Sequence, residues 1–241
     1  MGNPPCRFDG RATGRLRAAR LFVCAEFAVK TNVYIDGFNF YYGCFKATPQ
    51  YRAFKWLDLR KLSSAMLPNA QINRVHYFTA MVASVPWDPN QPLRQETYMR
   101  ALRTLPRLYV HLGKFQPVVK TGVAINLQPG TVASPERFRT WEENGSDVNL
   151  ATRLLMDAVD NDFEQAMVIS NDSDLFEPIR IVKQKFRLSV VVVSPYPTLT
   201  IKLQRASTTW GVLDKSLLAK HQLPATVMDN KGRQITKPKS W

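Results

Sequence analysis

Short apolar runs and amphipathic segments alternate along most of the chain, which is typical of α/β proteins with a parallel sheet. Apolar runs of strand length predict strands at Asn32–Asp36, Ile72–Met81, Arg107–Phe115, Met167–Ile169, Leu188–Val193 and Thr208–Leu213. Apolar side chains at helical spacing predict helices at Trp56–Leu67, Pro89–Thr104, Val148–Val159, Leu175–Phe186 and Thr198–Ala206. The pattern therefore predicts an α/β fold with a central, mainly parallel sheet covered by helices.

A polar loop follows the strand Met167–Ile169, and its sequence is Ser170-Asn171-Asp172-Ser173-Asp174. Ligand sites of open parallel sheets lie just outside the carboxyl ends of strands, where this loop begins. Two carboxylates one residue apart repel each other, and a bound divalent cation would remove that repulsion because hard cations take carboxylate oxygens. The loop also fits a helix cap, since Ser, Asn and Asp are favoured there. Taken alone, the loop favours the cap.

Two further carboxylates occupy comparable positions. Asp36 ends the first predicted strand, and Gly37 after it permits a turn and the close approach of a ligand. Asp147 lies in the first turn of the helix that precedes the strand of Asp172. In a doubly wound sheet the first strand and the strand after the crossover are neighbours, so Asp36 and Asp172 are predicted to face one crevice. Helix capping for Asp36 and dipole stabilisation for Asp147 remain as structural alternatives.

Other reactive residue types are predicted to be structural. Three acids at the far end of the Asp147 helix are predicted to face solvent: Asp157, Asp160 and Asp162. Three scattered histidines argue against a zinc hydrolase: His76, His111 and His221. Three cysteines lack metal-type spacing and are predicted to be reduced thiols of a cytoplasmic protein: Cys6, Cys24 and Cys44. No glycine-rich phosphate loop or dinucleotide-binding motif is present in the sequence.

Basic residues are concentrated at the two ends of the chain, whose net charge is +14. Residues 1–30 carry six Lys and Arg against two acids, and residues 201–241 carry eight against two. Such a basic frame suits a polyanion, most commonly nucleic acid, although basic ends can also serve solubility or non-specific contacts. The hydrophobic content of 45% supports a real core, and no apolar run approaches the roughly 18 residues of a membrane span.

An irregular excursion is predicted at residues 116–141, which contain several prolines and glycines. Its basic and aromatic side chains suit the backbone and bases of a single-stranded nucleic acid: Lys120, Arg137, Arg139 and Trp141. Lys114 lies near the end of the preceding strand. A β-hairpin that covers the sheet edge is an equally good interpretation of the same segment. We divide the chain into a basic N-terminal extension (1–30), one domain (31–213) and a basic C-terminal tail (214–241).

Three motifs recur in a fixed order along the chain: Asp36-Gly37-x-Asn39, Gly145-x-Asp147 and Ser170-x-Asp172-Ser173-Asp174. Together they resemble the NYN domain of the PIN-like nuclease superfamily, and most closely its LabA-like branch, over residues 32–193. The resemblance implies a Rossmann-like three-layer PIN-like fold and a ribonuclease that uses Mg²⁺ or Mn²⁺. The chain departs from the family pattern where Asn144 precedes Gly145 and where Asn171 replaces a small residue.

The resemblance also implies roles for individual residues. Four acids are expected to bind the metal and to be catalytic: Asp36, Asp147, Asp172 and Asp174. Three polar residues are expected to support them: Asn39, Ser170 and Ser173. Independently of the resemblance, the positive charge of three basic residues suits the phosphate backbone of single-stranded or structured RNA: Lys114, Arg137 and Arg139. Dimers are common among PIN-like nucleases, so a homodimer is also expected from the resemblance.

Two other functions remain open from the sequence. One is a non-catalytic RNA-binding or scaffold module that uses the same basic surface. The other is a phosphatase or phosphotransferase similar to the haloacid dehalogenases, because those enzymes also place an Asp after the first strand. They need a second Asp two residues later, and Phe38 occupies that position here. The phosphatase hypothesis is therefore the weaker of the two.

Overall fold

The fold was analysed in a computed structural model, which describes residues 28–123, 134–239 and 241. The strands are β1 (Val29–Asp36), β2 (Ala70–Thr79), β3 (Leu108–Leu112), β4 (Lys114–Val123), β5 (Pro135–Asn144), β6 (Gln165–Ile169), β7 (Ser189–Ser194), β8 (Thr209–Val212), β9 (Thr226–Met228) and β10 (Gln234–Thr236). The α-helices are α1 (Gly37–Tyr41), α2 (Leu59–Met66), α3 (Gln91–Leu102), α4 (Ser146–Val159), α5 (Phe176–Gln184), α6 (Ile201–Ala206) and α7 (Ser216–Lys220). The predicted N-terminal extension lies outside the described residues except for its last three.

Six strands form the central sheet in the order β3-β2-β1-β6-β7-β8, and every neighbouring pair is parallel. The predicted parallel α/β fold is therefore confirmed. β1 and β6 lie side by side, with Ile35 opposite Ile169 at their carboxyl ends. The chain order reverses between these two strands, so their following loops meet at the switch point of the sheet.

Two apolar layers flank the sheet, because side chains along each strand alternate between its faces. Val33 and Ile35 of β1 belong to one cluster, which includes buried residues of α2 and α3. Tyr34 belongs to the other cluster, to which α4 contributes Leu150, Leu154 and Ala158, with further residues from α5 and α6. The helices thus form a layer on each face, and the three-layer architecture is confirmed. No helix among the described residues is long and apolar enough to cross a bilayer.

The segment predicted as irregular is a long antiparallel hairpin, in which Lys114–Val123 of β4 pair with Pro135–Asn144 of β5. It departs from the edge strand β3 and returns directly to the start of α4. Of the two interpretations that the sequence left open, the β-hairpin is therefore confirmed. The sequence could not decide between them because both faces of this ribbon carry exposed side chains, so it lacks the apolar alternation of a half-buried strand. Residues 124–133, between the two strands, are outside the described part.

The segment predicted as a basic tail packs against the core instead. Leu218, Leu223 and Ile235 are buried, and the Trp56 indole N–H donates to the carbonyl of Pro224 at 2.8 Å. These buried apolar residues are too far apart in sequence to form the repeating pattern of a helix or a strand, so the sequence did not show that this segment packs against the core. Cys44 is a free thiol of the core, and burial raises its pKa to about 12.

Asp157 is fully buried, so the prediction that it faces solvent was wrong. Its carboxylate accepts a hydrogen bond from the Tyr34 hydroxyl and pairs with the Arg153 guanidinium, each at 2.8 Å. Asp162 likewise accepts from the Asn32 amide at 2.9 Å and pairs with Arg74 at 3.1 Å. Both acids lie in a polar stretch of sequence at the end of α4, which is why they were predicted to face solvent. Tyr34, Asn32 and Arg74 are distant from them in sequence, so the local pattern could not show these contacts.

Candidate functional site

Asp36 is both the last residue of β1 and the N-cap of α1. Its Oδ1 accepts a hydrogen bond from the Asn39 backbone N–H at 3.0 Å, and its Oδ2 accepts from the Ser170 hydroxyl at 2.8 Å. The residue is only 4% exposed. The capping interpretation of Asp36 is therefore confirmed, and its carboxylate also lies at the carboxyl end of β1, where a site was predicted.

The loop after β6 is fixed against the loop after β1 by side-chain hydrogen bonds. The Asn171 backbone N–H donates to Asn39 Oδ1 at 2.9 Å, and Asn171 Oδ1 accepts from the Thr200 backbone N–H at 2.8 Å. Ser170 Oγ accepts from the Asp172 backbone N–H at 3.0 Å while its proton goes to Asp36. Asn171, a departure from the family pattern, thus ties three loops together.

Asp147 reaches the same place from α4. Gly145 precedes the helix with φ of +93°, a left-handed turn that glycine adopts without strain. Glu143, near the end of β5, accepts a hydrogen bond from the Ser146 backbone N–H at 2.9 Å. Glu143 was not predicted as a site residue from the sequence, because its position becomes clear only where β5 runs directly into α4. The available signal was an acid just before the start of a helix, where the helix dipole favours negative charge.

Three of the four predicted acids converge. Asp36, Asp147 and Asp172 each offer a carboxylate oxygen, and these atoms lie within 4.8 Å of one another. Among the described residues no Lys or Arg forms an ion pair with any of the three. A group of unneutralised carboxylates at this spacing, with oxygen as the sole donor type, has the chemistry of a site for a hard divalent cation.

The pKa values of two of these carboxyls report the same crowding. Burial raises the pKa of Asp36 to about 6, although the hydrogen bonds from Asn39 and Ser170 oppose the shift. Burial also raises the pKa of Asp147 to about 7, and the negative charges of Asp36 and Asp172 add to the effect. Glu143 contributes to both shifts. The charged forms of these two carboxyls are thus unfavourable in the metal-free site, and a bound cation would stabilise them.

The remaining predicted residues lie around this centre. Asp174 is exposed and outside the group of three, although its charge contributes to the raised pKa of Asp147. Ser173 begins the 3₁₀ turn that Asp172 caps through the backbone N–H of Asp174 at 2.9 Å. Lys114 lies at the base of the hairpin, and its side chain is on the same face as that of Lys120, because the two are an even number of residues apart on β4. Lys120 is opposite Phe138 of β5, so the side chains of Arg137 and Arg139, on either side of Phe138, lie on the other face.

The NYN domain family matches residues 30–211 of the chain. The chain belongs to the NYN domain family, which is part of the PIN-like nuclease superfamily. The three sequence motifs thus led to the correct family, whereas the match does not specify the LabA-like branch.

Two comparisons place the NYN chain among known proteins. It is 29% identical to 6-hydroxy-3-succinoylpyridine 3-monooxygenase HspA of Pseudomonas putida, over 88% of this chain and 75% of the relative. Its fold is similar to the crystal structure of a protein of unknown function from Vibrio parahaemolyticus, with a TM-score of 0.52 and 16% identity. That similarity covers 83% of this chain and all of the other. The structural match supports the fold.

Gly37 is expected to be essential to the shape of the site. A Cβ at this position would lie 2.5 Å from the Phe78 carbonyl oxygen and 2.9 Å from the Tyr77 ring. We expect Gly37→Ala to lower the free energy of unfolding by about 1–3 kcal/mol, the usual cost of overpacking. Urea denaturation measures this, with Gly211→Ala as the control, because a Cβ there meets nothing within 4 Å. Equal stability of the two variants would contradict the close packing at Gly37.

Proposed function

We propose that this NYN protein is a divalent-metal-dependent ribonuclease that hydrolyses RNA phosphodiester bonds. The observation that supports the proposal is the convergence of Asp36, Asp147 and Asp172, without a neutralising Lys or Arg among the described residues, at the switch point of the sheet. These three carboxylates would hold Mg²⁺ or Mn²⁺, with Asp174 completing the shell through water. A bound ion of this kind lowers the pKa of water and neutralises the phosphate.

The residues around the carboxylates keep them in place. Ser170 is central, because its hydroxyl donates to Asp36 while its oxygen accepts from the backbone N–H of Asp172. Asn39 and Asn171 join the two loops that carry these acids. Such a pre-formed arrangement avoids reorganisation when substrate binds. We assign Asn39 and Ser170 to positioning, and we add Glu143 as a fourth acid beside the group of three.

The hairpin offers a path for single-stranded RNA that leads to these acids. Strand alternation puts Arg137, Arg139, Trp141 and Glu143 of β5 on one face, which ends next to the carboxylates. The two arginines are exposed and have no ion-pair partner among the described residues, so they are available to phosphates. Lys120 lies on the other face, where it pairs with Glu142.

We expect the double variant Arg137→Ala, Arg139→Ala to bind single-stranded RNA more weakly at low salt. The slope of log affinity against log salt should become less steep by about 0.7 for each phosphate that the variant no longer neutralises. Fluorescence anisotropy with labelled RNA across a salt series measures both effects. Lys120→Ala is the matched control and should keep the wild-type slope, because this lysine is on the opposite face. If the double variant kept the wild-type slope of log affinity against log salt, RNA would not bind along this face of the hairpin.

Asp172→Asn tests the proposed catalysis. We expect the variant to lose cleavage of labelled RNA by more than about 100-fold, which exceeds the usual effect of removing a supporting group. Gel analysis of single-stranded and structured RNA with Mg²⁺, Mn²⁺ or EDTA measures the loss. Asp160→Asn at the far end of α4 is the control and should cleave normally, since Asp160 is exposed and far along the helix. Normal RNA binding without turnover by the wild type would instead support the binding-module alternative.

A second candidate function is suggested by the relative named as a monooxygenase. Ring hydroxylation consumes dioxygen and two electrons, so it is detected as oxygen uptake in the presence of a reductant and 6-hydroxy-3-succinoylpyridine. We prefer the nuclease because the convergent carboxylates suit a redox-inactive hard cation. Substrate-dependent oxygen uptake that survives Asp172→Asn would favour the monooxygenase and count against the nuclease.

A further inference from the structure

Exposed aromatic side chains gather beside the three converging carboxylates, and none of them belongs to the hairpin. Tyr41 and Tyr42 follow β1 at the end of α1, and Trp87 lies in the loop after β2; they are 44%, 42% and 83% exposed. β1 and β2 are neighbours, with Asp36 opposite Phe78 at their carboxyl ends. A single exposed ring is ordinary on a protein surface, whereas three rings that follow adjacent strand ends form a patch.

The chain presents the two tyrosines through an uncommon turn. The helix α1 runs into a π-helical turn, Tyr42–Lys46, a geometry that is rare and often found at functional sites. Gly43 allows this turn to pack on the loop after β7, since a Cβ there would lie 2.9 Å from the Pro195 carbonyl oxygen. The three middle residues of the turn are buried, so Tyr42 and Lys46 at its two ends face solvent.

Trp87 is held near the tip of an ordered turn. The Asp88 backbone N–H donates to the carbonyl of Val85 at 3.0 Å, which closes a four-residue turn with Trp87 at its third position. Asp88 forms an ion pair with Arg94 of α3, and the Gln95 side chain accepts a hydrogen bond from a backbone N–H near the start of the loop at 2.8 Å. The indole thus protrudes from a loop that is already fixed, which lowers the entropic cost of binding a ligand.

Tyr196 joins this patch to the carboxylates. It follows β7 and is partly exposed. Burial raises the pKa of its hydroxyl, and Asp36 and Tyr42 lie close enough to add to the shift. The ring centroids of Tyr42 and Tyr41 are 5.8 Å apart. Burial also raises the pKa of Tyr41, and Asp88 is near enough to contribute. The patch therefore extends from the carboxylate of Asp36 to the turn after β2.

The charge around these rings is positive. Residues 37–57 contain three Lys and Arg and no acid. The Lys46 ammonium lies 4.5 Å from the centroid of the Tyr42 ring, and Arg52 Nε donates to the carbonyl of Phe45 at 3.4 Å. Lys46 and Arg52 are exposed, and neither forms an ion pair with an acid in the described part of the chain. Exposed rings beside unpaired cations are the combination that binds single-stranded nucleic acid.

We propose that this aromatic patch binds the unpaired bases of single-stranded RNA on four rings: Tyr41, Tyr42, Trp87 and Tyr196. Bases would stack on Trp87 and the tyrosines, while Lys46 and Arg52 neutralise the phosphates between them. Bases inside a duplex are already stacked on each other, so the patch selects unpaired RNA. Stacking suits any single-stranded nucleic acid, and the choice of RNA rests on the proposed ribonuclease function.

The test is binding of a fluorescently labelled single-stranded RNA to the metal-free full chain in EDTA, followed by anisotropy. We expect Trp87→Ala to weaken binding by about tenfold, as for one lost base stack, without a change in the slope of log affinity against log salt. Trp87→Phe keeps a ring and should recover most of the affinity. Val159→Ala is the control, because Val159 is an exposed apolar residue at the far end of α4, and this variant should bind like the wild type.

Three competitors separate stacking from charge and RNA from DNA. An RNA duplex and inorganic polyphosphate carry the charge but offer no unpaired base, so Trp87→Ala should bind both as tightly as the wild type does. Single-stranded DNA of the same length should bind no more tightly than the RNA. Tighter binding of the DNA would reject RNA as the source of the bases.

Equal affinities of Trp87→Ala and Val159→Ala for single-stranded RNA would overturn the patch, as would an equal loss of duplex or polyphosphate binding in Trp87→Ala. The outcome is separable from that of the ribonuclease, because the binding assay contains no metal. The loss caused by Trp87→Ala should persist when Asp172→Asn is also present. Binding that depends on Trp87 in a chain that cleaves no RNA would refute the ribonuclease and keep the patch. Cleavage by a chain whose RNA binding ignores Trp87→Ala would refute the patch alone.

Discussion

Asp36→Asn should remove the metal-induced rise in melting temperature while the metal-free protein stays folded. In the wild type, Asp36 is a buried carboxylate with a pKa raised to about 6, and it has no cationic partner among the described residues. Removal of its charge relieves an unfavourable burial, so at pH 7.5 the metal-free variant should melt no lower than the wild type. Differential scanning fluorimetry with EDTA or Mn²⁺ measures both effects.

The control for this prediction is Asp160→Asn, which changes an exposed acid at the other end of α4 and should keep the full shift with Mn²⁺. RNA cleavage by Asp36→Asn should fall by more than about 100-fold, as for a lost ligand rather than a supporting group. If Mn²⁺ raised the melting temperature of Asp36→Asn as much as that of the wild type, the ion would bind elsewhere. Unfolding of the variant in EDTA would show that Asp36 is needed as a helix cap.

As pH rises, the stability of the metal-free protein should fall while its affinity for the metal should rise. The pKa values of Asp36 and Asp147 are raised from 3.8 to about 6 and about 7. At a pH between the pKa of these groups in the unfolded state and their pKa in the folded state, the folded protein keeps protons that the unfolded protein has released. These two groups therefore make the protein less stable as pH rises from about 4 to 7. Metal requires the deprotonated carboxylates, so its affinity should rise over the upper part of that range.

The contribution of one group is isolated by comparing wild type with Asp147→Asn in EDTA. We expect the variant to have the higher free energy of unfolding at pH 8, and the difference to shrink steadily as pH falls toward the unfolded-state pKa of about 4. Urea titrations at several pH values measure this difference. With Mn²⁺, the shift of the wild-type melting temperature should be larger at pH 8 than at pH 5.5. A metal-induced shift that is independent of pH would contradict binding through these two carboxyls.

The sequence predicted the sheet and most of the candidate site because both depend on local rules. Asp36 and Asp172 each follow or end a short buried strand, and carboxyl ends of neighbouring parallel strands meet at one edge. Asp147 was located from the glycine before it and the apolar period after it. The pairing of β1 with β6 then brings the first two acids together, which the order of the elements already implied.

Residues that act through distant partners could not be predicted in this way. Glu143 belongs to a strand whose two faces are both exposed, so the sequence left a hairpin and an irregular segment equally open and did not show that a strand leads into α4. Asp157 looked polar and exposed, whereas Tyr34, 123 positions away, accounts for its burial. His76 and His111 likewise meet only because β2 and β3 are paired in register.

The most direct measurement is a titration of metal-free wild-type protein with Mn²⁺, in which bound ion and RNA cleavage are followed in the same samples. Electron paramagnetic resonance gives the bound Mn²⁺, and labelled single-stranded RNA gives the initial rate. We expect the cleavage rate to rise in proportion to the bound Mn²⁺, and Asp36→Asn to show neither bound ion nor cleavage. Cleavage that persists in EDTA, or bound Mn²⁺ with no cleavage of any RNA, would contradict a metal-dependent ribonuclease at these carboxylates.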